Sequence, residues 1–395
     1  MFFFKKQVVR NQTTGDESQE QHNTCYSLTP EILTISQDPH KPYQVQFDDP
    51  SWKQHLPSMK PLGLSVLLNT CNSETEEQYS DFYQFLRSEV AKSKNRDNVQ
   101  EVLPDIPSRG CLCQLSKKIG LRTQKASEYD LVHQIQSFKA LTSRDPFSNR
   151  NSQMAGQKFP PPHQISVLTR RAMDQSISLH SQGTADLVLD MCVDAWTGHD
   201  LTTLKPAEKK KCLEFYQRAT LTSYCTTFAY KPLSTFTNEN FERNPIEIPL
   251  QNSTVGKTYD LDSISVGSFD EKKLHQDDAS DTLTTLHSQS FLGMVQMQYQ
   301  AMVDMVQFID LLEKACIRFV HFSKENELRS KVFSEKMGLE SGWNCHISLH
   351  SQSDVETATD IIYGERNPLN MGLLDNAIAF SVPDKVSQER RSQDT

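Results

Sequence analysis

The sequence predicts an α/β and α+β fold in two parts: residues 1–240 as a mixed, mostly antiparallel sheet with helices, and residues 286–350 as part of an α/β sheet. Three observations predict it. Alternating runs at Ile165–Arg171 and Ser176–Ser181, joined by the polar Asp174-Gln175, read as a hairpin, and hairpins build antiparallel sheets. The stretch Ala315–Leu339 (ACIRFVHFSKENELRSKVFSEKMGL) reads as a helix end, a β-rich run at Ile317–Phe322, a polar turn, and an amphipathic helix closed by Gly338. That order is half of a parallel α/β unit. Between the two parts, residues 232–285 carry long polar tracts such as DEKKLHQDDASD, and residues 241–285 read as a linker or insertion.

In chain order, residues 1–10 (MFFFKKQVVR) read as a strand followed by the polar Asn11–Asn23. Glu31–Ser36 and Gln44–Phe47 are further strands, divided by the turn-rich Gln37–Pro42. Pro61–Leu68 is apolar enough for core, and Tyr79–Val90 and Cys111–Ile119 have helical spacing, the latter stopped by Gly120. Residues 140–158 read as a loop. After the hairpin a short helix covers Thr184–Cys192, with Leu187, Val188 and Met191 on one face. Pro206 suits a first helical position, and that helix runs to about Thr220 with Cys212, Phe215, Tyr216 and Ala219 inward. Cys225–Tyr230 and Phe291–Met297 are strands, and Ala301–Cys316 is a helix with Met305, Ile309 and Leu312 inward. A helix over Asn326–Met337, a strand at Asn344–Leu349 and a flexible tail over 351–395 complete the reading. Met294, Met297, Met302 and Met305 are read as adaptable core filler.

The 395 residues suffice for two or three domains, and a net charge of -9 argues against a nucleic-acid binder. Arg170-Arg171 and Lys209-Lys210-Lys211 read as solvated faces. Nine cysteines occur with no C-x-x-C pair; Cys111 and Cys113 are too close for a zinc knuckle, and reduced, buried thiols are expected. Cys345-His346 with His350 could form a metal corner, but the strand-like alternation favours packing, so no metal ligand is assigned. No apolar run reaches the roughly 18 residues of a membrane-spanning helix. Met-Phe-Phe-Phe followed by Lys5-Lys6 has the wrong order for a signal peptide and reads as the middle of a strand, so a piece of a longer chain is expected.

Four islands then occur in an order that resembles the P-type ATPases. Phe159-Pro160 with Ile165-Ser166-Val167 resembles the family's entry into its nucleotide domain, with His163-Gln164 near the place of its Lys-Arg pair. Ser181-Gln182-Gly183-Thr184-Ala185-Asp186 resembles its K-G-A motif, with Gln182 at the lysine that lines the ATP pocket. Tyr216–Leu233 matches a helix-to-strand passage, and Phe291-Leu292-Gly293-Met294-Val295 the F-L-G-x-V that opens the phosphorylation domain. Tyr299-Gln300-Ala301-Met302 stand where the family has D-P-P-R, and Ser323-Lys324-Glu325-Asn326 where it has T-G-D-N. The wording of FDDPSWKQHL, LHSQGTADLVLD and KVFSEKMGLESGWNCHISL resembles a divergent, P-type-ATPase-like branch of the endoplasmic reticulum membrane, proposed to move magnesium.

The resemblance implies a nucleotide-binding domain over 1–240 and part of a Rossmannoid, haloacid-dehalogenase-like phosphorylation domain over 286–350. It also implies ATP and Mg²⁺ as the family's cofactors. Phe159, Gln182 and Gly183 become nucleotide-binding candidates, and Ser323 and Glu325 candidates beside the phosphoryl group and its Mg²⁺. A neutral glutamine supplies no charge to polyphosphate, so ATP contact is expected to be weak or lost. Ser323 and Glu325 also suit a plain helix start, and Gly183 a turn with unusual backbone angles. The phosphorylated aspartate of D-K-T-G-T and the G-D-G-x-N-D motif are not in the chain, so no catalytic residue is assigned. The expected function is the cytosolic portion of a cation transporter, partnered by the transmembrane remainder of its parent. The rival is a non-catalytic regulatory or scaffold module, which predicts a nucleotide pocket filled by side chains.

Overall fold

A computed structural model describes residues 1–9, 25–37, 44–72, 75–94, 109–121, 123–139, 162–233, 245–248, 282–323 and 327–340. The chain divides into one unit of Met1–Leu141 with Pro160–Tyr299 and a second of Thr142–Phe159 with Gln300–Thr395. In the first unit, β1 (Phe2–Val9) pairs antiparallel with β2 (Cys25–Ile32), and β3 (Ile35–Gln37) pairs with β4 (Val45–Phe47). The single strand expected over Glu31–Ser36 is thus broken at Leu33, which is buried and donates its N–H to the Met1 carbonyl. Helices α1 (Leu56–Asn69), α2 (Glu76–Lys94) and α3 (Arg109–Lys118) follow. Gly120 ends α3 at φ +98°, with the Leu121 N–H reaching back to the Ser116 carbonyl.

Next comes β5 (Tyr129–Lys139), which the sequence reading missed, then the expected hairpin of β6 (His163–Arg171) and β7 (Ile177–Gly183). Helix α4 (Ala185–Met191) leads to β8 (Cys192–Trp196) and β9 (Leu201–Thr203). Helix α5 (Pro206–Thr222) has its proline in the first turn, as expected, and is followed by β10 (Tyr224–Leu233). The tract read as linker contributes β11 (Ile246–Ile248), parallel to β5, and buries Leu283, with Leu286 buried just beyond it.

β12 (Gln289–Met297) corrects the expected boundary at 286. It lies inside the large sheet, whose order is β11-β5-β6-β7-β10-β12-β1-β2 with β8 and β9 branching from β12. One edge of β12 pairs with β10 over Tyr224↔Met297 to Tyr230↔Ser290; the other meets β8 and β1. Periodicity identifies a strand but not its partners, which here are brought from about 70 and nearly 300 residues away in sequence.

Both faces of this sheet are covered where β1 and β12 run, which is why Phe2-Phe3-Phe4 and Phe291–Val295 read as unbroken apolar runs. On one face Phe3, Phe228, Leu292 and Val295 pack with Met59, Leu62 and Val66 of α1. On the other, Phe2, Phe4, Ala229, Phe291 and Met294 pack with Ala185 and Val188 of α4 and Cys212 and Tyr216 of α5. The cysteines depart from the expected uniformly reduced state: Cys71 and Cys113 form a disulfide with Cα atoms 5.7 Å apart, while Cys192 and Cys212 are buried thiols and Cys316 is exposed.

The second unit has α6 (Val303–Lys314) and α7 (Glu327–Lys336). Ile309 is buried, but Met302 and Met305 are exposed, so the inward methionine face holds only for Met294 and Met297 of β12. No strand forms at Ile317–Phe322, where Ile317, Val320 and Phe322 are exposed: a strand needs a ladder partner, and none pairs there among the described residues. The expected strand Asn344–Leu349, the Cys345/His346/His350 corner, the 140–158 loop and the 351–395 tail lie outside the described residues. No helix among the described residues is long and apolar enough to cross a membrane.

Candidate functional site

The site forms where β6 begins and β7 ends. Antiparallel pairing sets Gln164 opposite Gly183 and Ile165 opposite Gln182, so two islands nearly twenty residues apart become neighbours. Gly183 is required for a different reason from the expected unusual backbone angles. A Cβ there would lie 2.2 Å from the His163 carbonyl oxygen and 2.8 Å from the Gln164 Cα, so only glycine lets the strands approach this closely. Thr184 locks the junction: its N–H donates to the His163 carbonyl at 2.9 Å, and its hydroxyl accepts from the His163 N–H at 3.1 Å.

Gln182 is buried and both ends of its amide are engaged. Its Oε1 accepts from the Thr70 hydroxyl, and its Nε2 donates to the Tyr79 phenol, which in turn donates to Asn69 Oδ1. Asn69 is fixed by its own Nδ2, which donates to the main-chain carbonyls of Ile165 (3.1 Å) and His180 (2.9 Å). The result is a chain of neutral groups running from the end of α1, through the first turns of α2, onto β7. Beside it, the His163 ring meets Phe82 and Tyr83 of α2, with the Tyr83 phenol 3.3 Å from His163 Nε2. Tyr79, Phe82 and Leu86 pack with Phe138 and Ile165, so α2 lies as a cover on this end of the sheet.

Further along the same face of β7, His180 is wholly buried against Tyr230, its ring centroid 5.2 Å away, with Nε2 3.2 Å from the Ser178 hydroxyl. Burial lowers its pKa to about 3, so the imidazole is neutral at neutral pH. On the other face, Ser166 and Ser181 share a hydroxyl hydrogen bond of 2.6 Å, and Gln164 Nε2 donates to Ser166.

Of the residues singled out from sequence, Gln182 and Gly183 come together with His163. Ser323 is exposed and its hydroxyl accepts from Ser330 at 2.8 Å, one turn into α7. Phe159 and Glu325 lie outside the described residues. Sequence reasoning missed Asn69, Thr70, Tyr79 and Tyr83. The only signal available was the abrupt change from the apolar Val66-Leu67-Leu68 to Asn69-Thr70, which places polar groups at the end of a core helix.

The residues around Gln182 do not fit a polyphosphate in this arrangement. They offer amide, hydroxyl, phenol and imidazole groups in place of the family's lysine, and the glutamine amide is already hydrogen-bonded. Among the described residues no three His, Cys, Asp or Glu side chains gather to hold a metal ion.

No protein-family model matches the chain. Transmembrane protein 94 of Mus musculus is 37% identical over 358 residues, covering 87% of this chain and 26% of that protein. Its counterpart of the same name in Homo sapiens is 38% identical over 347 residues, covering 82% of this chain and 25% of that protein. The chain is a relative of transmembrane protein 94. It spans about a quarter of the length of these curated relatives. With 87% of the chain inside the match to mouse transmembrane protein 94, the central stretch from Asn69 to Gln182 falls within it.

Proposed function

We propose that this chain is a cytosolic portion of a P-type-ATPase-like cation transporter of the endoplasmic reticulum, with magnesium as the transported ion, and that it does not transport alone. The observation that carries this reading is the pairing of β6 with β7. The two islands that resemble the family's nucleotide-domain motifs are laid side by side, with Ile165 opposite Gln182 and Gln164 opposite Gly183. A nucleotide pocket built from both motifs requires that neighbourhood. The relation to transmembrane protein 94 supports a membrane-bound parent. In this reading nucleotide contact by the region is weak, because Gln182 brings no charge.

A second reading is favoured by one specific observation. Tyr79 holds Gln182 and Tyr83 meets His163, so α2 fills the position with side chains. That is what a regulatory or scaffold module keeping the P-type fold without ATP hydrolysis would do.

One titration separates the two. The full chain is titrated with a fluorescent trinitrophenyl-ATP analogue, with and without competing ATP and Mg²⁺, alongside Gln182→Lys. Saturable, ATP-displaceable signal in the wild type supports the transporter reading. Signal that is absent from the wild-type chain, while its circular dichroism remains that of a folded protein, removes nucleotide binding by this region and leaves the scaffold reading. Restoration of ATP binding in Gln182→Lys would mark the position as a nucleotide site altered at one residue.

A further inference from the structure

We propose that the Cys71–Cys113 disulfide is a reversible redox staple that holds α2 over the Gln182 and His163 end of the sheet. Cys71 directly follows Asn69 and Thr70, the two residues of α1's end that engage Tyr79 and Gln182. Its partner Cys113 lies on α3, and the Cα separation of 5.7 Å suits a disulfide. The bond closes a segment with a sequence separation of 42, and the whole of α2 lies inside it. Among the described residues, helix α2 is also held by a small apolar cluster (Tyr79, Phe82, Leu86, Phe138 and Ile165), by its two phenol contacts, by Phe85 against Phe138, and by Gln136 donating to the Gln78 carbonyl. A crosslink at the ends of such a segment shortens the excursions of the helix between them. Both cysteines are only half-buried, so a small thiol can reach them.

The chemistry is thiol–disulfide exchange with glutathione disulfide as the oxidant. One protein thiolate attacks a glutathione sulfur and expels one glutathione; the second thiolate attacks the mixed disulfide and expels the other. Two protein thiols become one disulfide, one glutathione disulfide becomes two glutathiones, and the two electrons and two protons are conserved. Reduction by excess glutathione or dithiothreitol is the same sequence reversed.

The test is hydrogen–deuterium exchange on the full chain, equilibrated in glutathione disulfide or in dithiothreitol, with non-reducing peptide mapping of each sample. The expected result is a linked Cys71–Cys113 peptide in the oxidised sample and exchange over residues 76–94 about tenfold faster after reduction. Exchange in β10 and β12 stays unchanged, and Cys71→Ser and Cys113→Ser each behave as the reduced wild type in both buffers. The proposal is overturned by the absence of the linked peptide in glutathione disulfide, or by α2 exchange that ignores the redox state. It is equally overturned if β10 and β12 loosen along with α2, because the bond would then be a general stabiliser. No nucleotide enters the measurement, so its outcome stands apart from the trinitrophenyl-ATP titration.

Discussion

Tyr79 is the keystone of the buried polar chain, because its phenol accepts from Gln182 and donates to Asn69 at once. Replacing it by phenylalanine keeps the ring in its apolar cluster but leaves a buried amide N–H and a buried amide oxygen unpaired. Tyr79→Phe should lower unfolding stability by about 2–3 kcal/mol, read by urea titration; a change inside experimental error would mean the network is not formed in solution. His180 gives a pH prediction. Its folded pKa of about 3 lies below the unfolded value of 6.5, so its stabilising contribution is fully present above 6.5. As pH falls through that value the unfolded chain takes up a proton that the folded chain refuses, and stability drops until about pH 3. Between pH 7 and 5 this one group should cost about 2 kcal/mol, and His180→Gln should show that much less acid sensitivity over the same interval. Equal pH slopes for the two proteins would count against a buried neutral imidazole.

Among the elements, β1 shows how a strand's composition follows from its place. Phe3 faces the α1 side while Phe2 and Phe4 face α4 and α5, and all three are buried. A strand with one solvated face would alternate; this one cannot, because both faces are core. Phe3→Ala and Phe4→Ala should each destabilise by about 3–5 kcal/mol, measured by denaturant unfolding, with a cavity left on opposite faces of the sheet. The thiols divide by the elements that carry them. Burial pushes Cys192 in β8 and Cys225 in β10 up to about 12, whereas Cys316 after α6 is exposed. Brief iodoacetamide treatment of the folded chain at pH 8 should therefore label Cys316 and spare the other two, as read by peptide mass spectrometry. Helices α2, α3 and α5, the β6–β7 hairpin and strands β1, β10 and β12 were legible because their apolar periods are clear and Pro206 and Gly120 mark a helix start and a helix end, whereas Pro61–Leu68 of α1 was legible only as core. Strand β5 (YDLVHQIQSFK) was not, because its alternation is interrupted by polar groups and a register shift between Leu131 and His133.

For the whole molecule, the decisive fact is that residues 289–297 run through the middle of the first unit's sheet. A segment cut at residue 240, as composition suggests, loses the strand that joins β10 to β1 and exposes two unpaired edges. The segment 1–240 should therefore aggregate or unfold without a cooperative transition, whereas 1–299 should melt as one cooperative unit. Comparing the two by circular dichroism and size-exclusion chromatography checks this, and a well-folded, monomeric 1–240 would contradict the sheet order.

By itself the sequence determined the kinds of several elements, among them the β6–β7 hairpin and helices α2, α3 and α5, and the positions of Gln182 and Gly183, because periodicity, prolines and glycines act over a few residues. Only the tertiary structure decided that β12 completes the first sheet, that Cys71 meets Cys113, and that Tyr79 occupies the amide of Gln182. Those pairings join residues 42 to nearly 300 positions apart, and strand pairing, disulfide geometry and buried hydrogen bonds are satisfied in space. Local composition carries no record of which distant partner satisfies them.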